Sequence, residues 1–493
     1  MTEPTARPPQ PEAQPVDLEQ GLPMVSAEDP QRLQEEKAHL AELARRPLLA
    51  RWAGYARMTG PGWLQSAMTL GGGSAAASLT IGALFGYQLL WVQPVAMILG
   101  VIMLSAMSYQ TLSTRARPFG AMKRFVHPAV AWAWALATLV ATIIWHFPQY
   151  ALAAGMVDDM VKTGTGWAPE GGAHTAFMLA IGVVVLGVST IITWNYASGW
   201  KGIRLYERAL KAMVWVIIVS FAVVIVRAAA AGKIPWGELL SGFVPWPSRI
   251  PTDTQGIGTV LAAFGAAVGI NMTFMFPYTQ LARGWGKEHR GVARFDLVTG
   301  MLLPFAVATS LMTVAAACTI HGNVEVQGRV SPVDAARMIA GAGVGETVGH
   351  FIFGLGILGM VLSSITTHMI VAGFAACEIF RIEPKGWKYK AACMIPAIGF
   401  LGVVLWKYMG MWVAVWTSAL CGAMLPIAYI AFFVLQNRRA YLGAATPRGA
   451  ARWAWNIGMG LAILATLVYL VYAAQGEYVA GIRTFFARLT GGG

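Results

Sequence analysis

Long runs of apolar residues separated by short basic connections dominate the chain. A helix needs about 20 apolar residues to cross the hydrocarbon core of a bilayer. Eleven runs qualify, at roughly 61–84, 88–112, 128–157, 174–194, 209–230, 256–284, 294–319, 347–380, 390–407, 410–435 and 453–474. They are too long for barrel strands and lack the two-residue alternation of a barrel, so the expected class is an all-α integral membrane protein. Residues 1–47 are rich in Pro, Glu and Gln and predict a disordered tail. Within that tail, the stretch from Gln31 to Arg46 has the spacing of an amphipathic helix. No secretory signal is expected, since no apolar core preceded by basic residues opens the chain.

Charge sets the expected orientation. Basic residues cluster after every even-numbered run, as with Arg115, Arg117, Lys123 and Arg124, or Arg381, Lys385, Lys388 and Lys390, and Arg51 and Arg57 precede the first run. The positive-inside rule then places the N-terminus in the cytoplasm and the C-terminus outside, in a multi-pass cell (inner) membrane protein. Only 12% of the 493 residues are charged, about half of what a soluble domain carries. The formal net charge of +13 sits in short loops rather than along a basic stripe, which argues against nucleic acid as a partner. Cys318, Cys377, Cys393 and Cys421 form no CxxC pair and read as buried apolar positions. No GxxxxGK[ST], HExxH or GxSxG occurs, so neither an enzyme nor an ATP-driven pump is expected, and no cofactor is implied.

Two runs are interrupted at their centres. The first carries Gly71-Gly72-Gly73-Ser74, and the sixth carries Gly269-Ile270-Asn271-Met272-Thr273 followed by Pro277. Each mid-helix glycine costs about 1 kcal/mol relative to alanine. Interruptions five runs apart, at matching places in two halves, point to a transporter binding site at the repeat interface. The expected plan is a first five-helix repeat over 48–240, an inverted second repeat over 250–437, an eleventh helix over 450–475 and an extracytoplasmic tail over 476–493. The half-helix beginning near Gly73 would direct its amides into the cavity and favour negative charge there. Candidate substrate-binding residues are Gly71, Gly72, Gly73, Ser74, Gly269, Ile270, Asn271, Thr273 and Ser418. His146, in Trp145-His146-Phe147-Pro148-Gln149-Tyr150, is the candidate for proton coupling, because an intramembrane residue that titrates near neutrality is functional by default. His368 is a further candidate, and Thr417 reads as a bundle hydrogen bond.

Gly60-Pro61-Gly62-Trp63, Phe85-Gly86-Tyr87, Leu89-Leu90-Trp91-Val92 and Leu362-Ser363-Ser364-Ile365-Thr366 resemble segments of the Nramp divalent-metal transporters. The resemblance spans most of residues 55–440 and implies a LeuT-like fold with alternating access. It also implies metal ligands at two motifs, and there the sequence departs. Gly71, Gly72, Gly73 and Ser74 occupy the places of the family's Asp-Pro-Gly-Asn, and Gly269, Ile270 and Asn271 those of its Met-Pro-His. Asp and Glu are absent between Glu42 and Asp158, between Asp253 and Glu288, and between Glu383 and Glu477. A divalent cation needs anionic or soft donors in place of its water. The expectation is therefore a secondary transporter of a small polar or anionic solute, coupled to protons, with no metal site. The alternatives are a divalent-cation carrier of altered selectivity and a transport-inactive sensor or scaffold whose tail holds a partner.

Overall fold

A computed structural model describes residues 30–322, 330–404 and 412–475. The expected disorder of the first 29 residues and the expected extracytoplasmic tail lie outside the described residues, which contain helices and no strand. Two short helices, α1 (Pro30–Ala44) and α2 (Leu48–Ala56), lead to the first pair, α3 (Pro61–Thr69) and α4 (Gly72–Phe85). Then come α5 (Val92–Thr114), α6 (Pro118–Phe125), α7 (Pro128–Thr165), α8 (Gly171–Tyr196), α9 (Gly199–Ala230) and α10 (Trp236–Gly242). The second half runs through α11 (Thr254–Ala267), α12 (Ile270–Ala282), α13 (Arg290–Leu297), α14 (Leu303–Thr319), α15 (Pro332–Ile339) and α16 (Phe353–Phe380). It ends with α17 (Gly386–Ala392), α18 (Trp412–Asn437) and α19 (Gly449–Gln475). Pro61, Pro118 and Pro128 open their helices, where the missing N–H costs nothing and the fixed φ is already helical.

Burial separates inner from outer helices. Every residue of α12 is buried, and α16 is buried along most of its length. By contrast, Val183, Val184 and Ile191 of α8, Val219 and Val226 of α9, and Leu461 and Leu464 of α19 are exposed apolar side chains, as lipid-facing surface requires. Small residues bring inner helices into contact. At Gly82 of α4, a methyl group would lie 2.2 Å from the carbonyl oxygen of Thr313 on α14.

Among the described residues, nine helices are long and apolar enough to span a bilayer, or ten when the bent pair α3–α4 counts as one span. The expected run at 390–407 is not among them, and its last residues lie outside the described residues. There α17 ends at Ala392, and Ile395–Leu401 forms a 3₁₀ helix. The physical reason is a proline and two glycines. Pro396 removes a donor from the α-helical ladder, and Gly399 and Gly402 press directly on α7, where a methyl group would lie 2.2 Å from His146 Cβ and 2.1 Å from the Phe147 carbonyl oxygen.

Candidate functional site

The two interruptions face each other. α3 and α4 bend by 58° across Leu70–Gly71. The bend lies at the start of the glycine run, and Gly72 and Gly73 already belong to α4. The glycines there serve close approach. A Cβ on Gly71 would stand 2.5 Å from Ser364 Oγ and 2.9 Å from Gln149 Nε2, and one on Gly73 would stand 2.5 Å from the Trp145 ring. On the opposite side, extended backbone at Val268 and Gly269 separates α11 from α12. Thr69 Oγ1 ties the two breaks together by donating to the Ala267 carbonyl at 2.7 Å.

The polar groups freed by each break are largely satisfied by neighbouring side chains. The Gly71 amide donates to Ser74 Oγ at 3.1 Å, and that hydroxyl donates to the Thr69 carbonyl at 2.7 Å. The Gly72 amide donates to Gln149 Oε1 at 3.1 Å. Ser363 and Ser364 of α16 donate to the carbonyls of Ala67 and Met68, each at 3.0 Å. Across the cavity, the Gly269 amide points to Met272 Sδ at 3.4 Å, and the Met272 amide donates to Asn271 Oδ1 at 3.1 Å. At the start of α4 the Gly71 and Gly72 amides thus already have acceptors.

Between the breaks lies a small cavity of about 30 Å³, enough for one or two water-sized bodies. Of the sequence candidates, Gly71, Gly73, Ser74, Gly269 and Asn271 line it, and Gly72, Ile270, Thr273 and Ser418 are not among its lining residues. Thr273 instead donates to the Ile270 carbonyl and accepts from the Trp134 indole at 2.9 Å. The Ser418 carbonyl accepts from the Tyr469 hydroxyl at 3.2 Å. His146 does not line the cavity. Its ring lies 5.6 Å from that of His368, which does, and 5.8 Å from that of Tyr150.

The lining also holds Met68, Met272, Trp145, Gln149 and His368, a set that corrects the expectation of a pocket without soft donors. Two methionines and a histidine are thus among the lining residues, and His368 Nδ1 has no hydrogen-bond partner among the described residues. One signal for Gln149 was present in the sequence, since it follows His146 by three and so shares its helix face. No carboxylate lines the cavity, and no group of three His, Cys, Asp or Glu suited to a metal ion occurs among the described residues. The buried acids lie elsewhere. Asp296 and Glu207 stand beside Gly60 at the foot of α3, and Asp159 lies near the far end of α7, paired with Arg337 at 3.0 Å and His350 at 2.6 Å.

Comparison with known proteins gives one consistent answer. The family described as "Natural resistance-associated macrophage protein-like" (Nramp) matches residues 62–473. The divalent metal cation transporter MntH of Brucella suis is 23% identical over 402 residues, covering 79% of this chain and 82% of that protein. MntH of Mycobacterium tuberculosis (strain H37Rv) is 24% identical over 454 residues, covering 88% and 94%. Among solved structures, a mutant of the Eremococcus coleocola manganese transporter superposes with a TM-score of 0.70 at 16% identity, covering 90% of this chain and 89% of the other. MhsT in complex with L-phenylalanine superposes at 0.57 with 17% identity, covering 84% and 98%.

Proposed function

Because the chain belongs to the Nramp family of membrane transporters, we propose that its cargo is a divalent metal cation, carried through an uncharged site of altered selectivity. The observation that supports this most is the state of the amides. At the break before α4 the Gly71 and Gly72 amides are taken by Ser74 and Gln149, whereas methionine, histidine and asparagine side chains line the space. The cavity suits an ion better than an organic solute. The names of the relatives, divalent metal cation transporters, agree with this reading. The small polar or anionic solute expected from the missing carboxylates has no such support.

Asn271 and Met272 are the ligands we assign from α12, with His368 from α16 and backbone carbonyls beside Gly71 and Gly269. Thioether and imidazole donors favour iron, zinc or cadmium over calcium and magnesium, which prefer all-oxygen shells, with manganese between the two groups. A neutral site also binds any dication more weakly than carboxylates would. We assign residues 48–240 and 250–437 as the two inverted repeats, with the basic connections cytoplasmic. His146 takes the coupling proton, with His368 between it and the cargo.

Uptake into proteoliposomes tests the proposal, with manganese, cadmium, calcium, phosphate and acetate offered in turn. Saturable manganese and cadmium uptake, lost in Asn271→Ala, is the expected result. Phosphate or acetate uptake without manganese uptake would restore the anion reading. Absence of all uptake by well-folded protein would leave a sensor or scaffold.

A further inference from the structure

The approach to α3 is gripped along its backbone. Arg204 donates to the Arg57 carbonyl at 3.3 Å, Arg283 to the Met58 carbonyl at 2.7 Å and Lys211 to the Thr59 carbonyl at 2.9 Å. Next along the chain, the Asp296 carboxylate accepts from the Gly60 and Gly62 amides, at 3.1 and 2.7 Å. Glu207 completes the cluster, 3.6 Å from Arg283 and 3.8 Å from Arg204. Backbone groups of residues 57, 58, 59, 60 and 62 are therefore held by charged side chains of α9, of the end of α12 and of α13. While this grip lasts, α3 cannot swing away from the bundle.

α1 lies across the same place. Its inward stripe is Leu33, Leu40 and Leu43, all buried, and the rest of its surface is mostly exposed. Leu40 and Leu43 pack in one cluster with Met58, Leu112, Trp285 and Val292. Leu33 covers Gly284, whose φ of +75° lies in the left-handed region. Arg32 stacks on Trp200 with its guanidinium carbon 3.6 Å from the ring centre, and Arg204 and Arg283 of the grip share that ring at 5.2 and 5.3 Å. Glu36 reaches His289 at 3.7 Å. Through direct contacts α1 thus joins Trp200 of the first half to Gly284 and His289 of the second.

We propose that α1 is a built-in strap that holds the α3 end of the transport path shut and must lift before that end can open. This rests on reading the chain as an alternating-access carrier. Relative motion of the two halves separates Trp200 from His289, and a helix in contact with both opposes it. Gln65, one turn into α3, supplies a reporter. Its side chain is fully buried and neither amide atom has a hydrogen-bond partner among the described residues, so it gains from reaching water when α3 swings.

The test uses a Gln65→Cys reporter and its alkylation by a polar maleimide in detergent, a readout that needs no cargo. The parent protein lacking the reporter gives the background. The reporter is combined with Leu33→Asp/Leu40→Asp in the full chain and, separately, with removal of residues 1–46. Alkylation about tenfold faster than in the intact chain is expected in both, the scale of a local opening made easier by lost apolar contacts. An unchanged rate in both overturns the strap. If the truncated chain aggregates, the full-length double variant decides alone. Manganese uptake run alongside separates the two readings: faster alkylation without any uptake keeps the strap and rejects the cargo.

Discussion

Met272 shows how one side chain changes the chemistry of a site that lacks carboxylates. Its sulfur lies 3.4 Å from the Gly269 amide and faces the cavity. Met272→Leu keeps the volume and removes the thioether, so the fold should tolerate it. We expect cadmium uptake to fall about tenfold, manganese uptake to fall less and residual calcium uptake to stay unchanged, as soft-ligand selection requires. Gly73 makes the complementary point about space. Gly73→Ala places a methyl group 2.5 Å from the Trp145 ring, and overpacking of this kind costs about 1–3 kcal/mol. A lower thermal unfolding midpoint in detergent checks it. From the sequence, Gly71–Ser74 and Gly269–Asn271 were recognisable as a pair because both interrupt apolar runs. Met68 and Met272 were not, because a methionine in an apolar run looks the same whether it faces a neighbour helix or a cavity.

Among the helices, the decisive contacts are at the ends. The foot of α3 depends on Asp296, which is fully buried and accepts from two amides. Hydrogen bonds to a charged acceptor contribute about 1.5–3 kcal/mol. Asp296→Asn keeps one acceptor oxygen and removes the charge. It should loosen α3, seen as faster hydrogen exchange at Gly60 and Gly62 than in the parent. Helix positions followed from apolar run length, and both breaks followed from glycine, asparagine and proline within those runs. Within the run at 390–407, hydropathy is that of a span, whereas the 3₁₀ geometry of Ile395–Leu401 goes with Pro396 and with the approach of Gly399 and Gly402 to α7. Hydropathy carries no information about such contacts. The same blindness hid the pairing of Asp159 with Arg337 and His350, residues 178 and 191 positions away in the chain.

For the whole molecule, the family and the all-helical architecture were legible early, since Gly60-Pro61-Gly62-Trp63 and the Leu362–Thr366 segment carried the likeness that the match over residues 62–473 establishes. The cargo was not, because it depends on which groups the fold leaves unsatisfied around the cavity. Coupling is the property to test at this scale. The His146 ring lies 5.6 Å from that of His368, which lines the cavity. His146→Ala should leave manganese exchange between equal concentrations intact and abolish the response of uptake to an imposed proton gradient.

The neutrality of the lining has an electrical consequence. A pocket with fixed negative groups would offset the cargo's charge as it moves, and this pocket has none. With the divalent cargo proposed above, the occupied carrier would bear two uncompensated positive charges. Moving them through the full field costs or yields about 5 kcal/mol per 100 mV, at about 2.3 kcal/mol for each charge. Uptake should be electrogenic, and clamping the vesicle potential with potassium and valinomycin should change its rate steeply, even with no proton gradient.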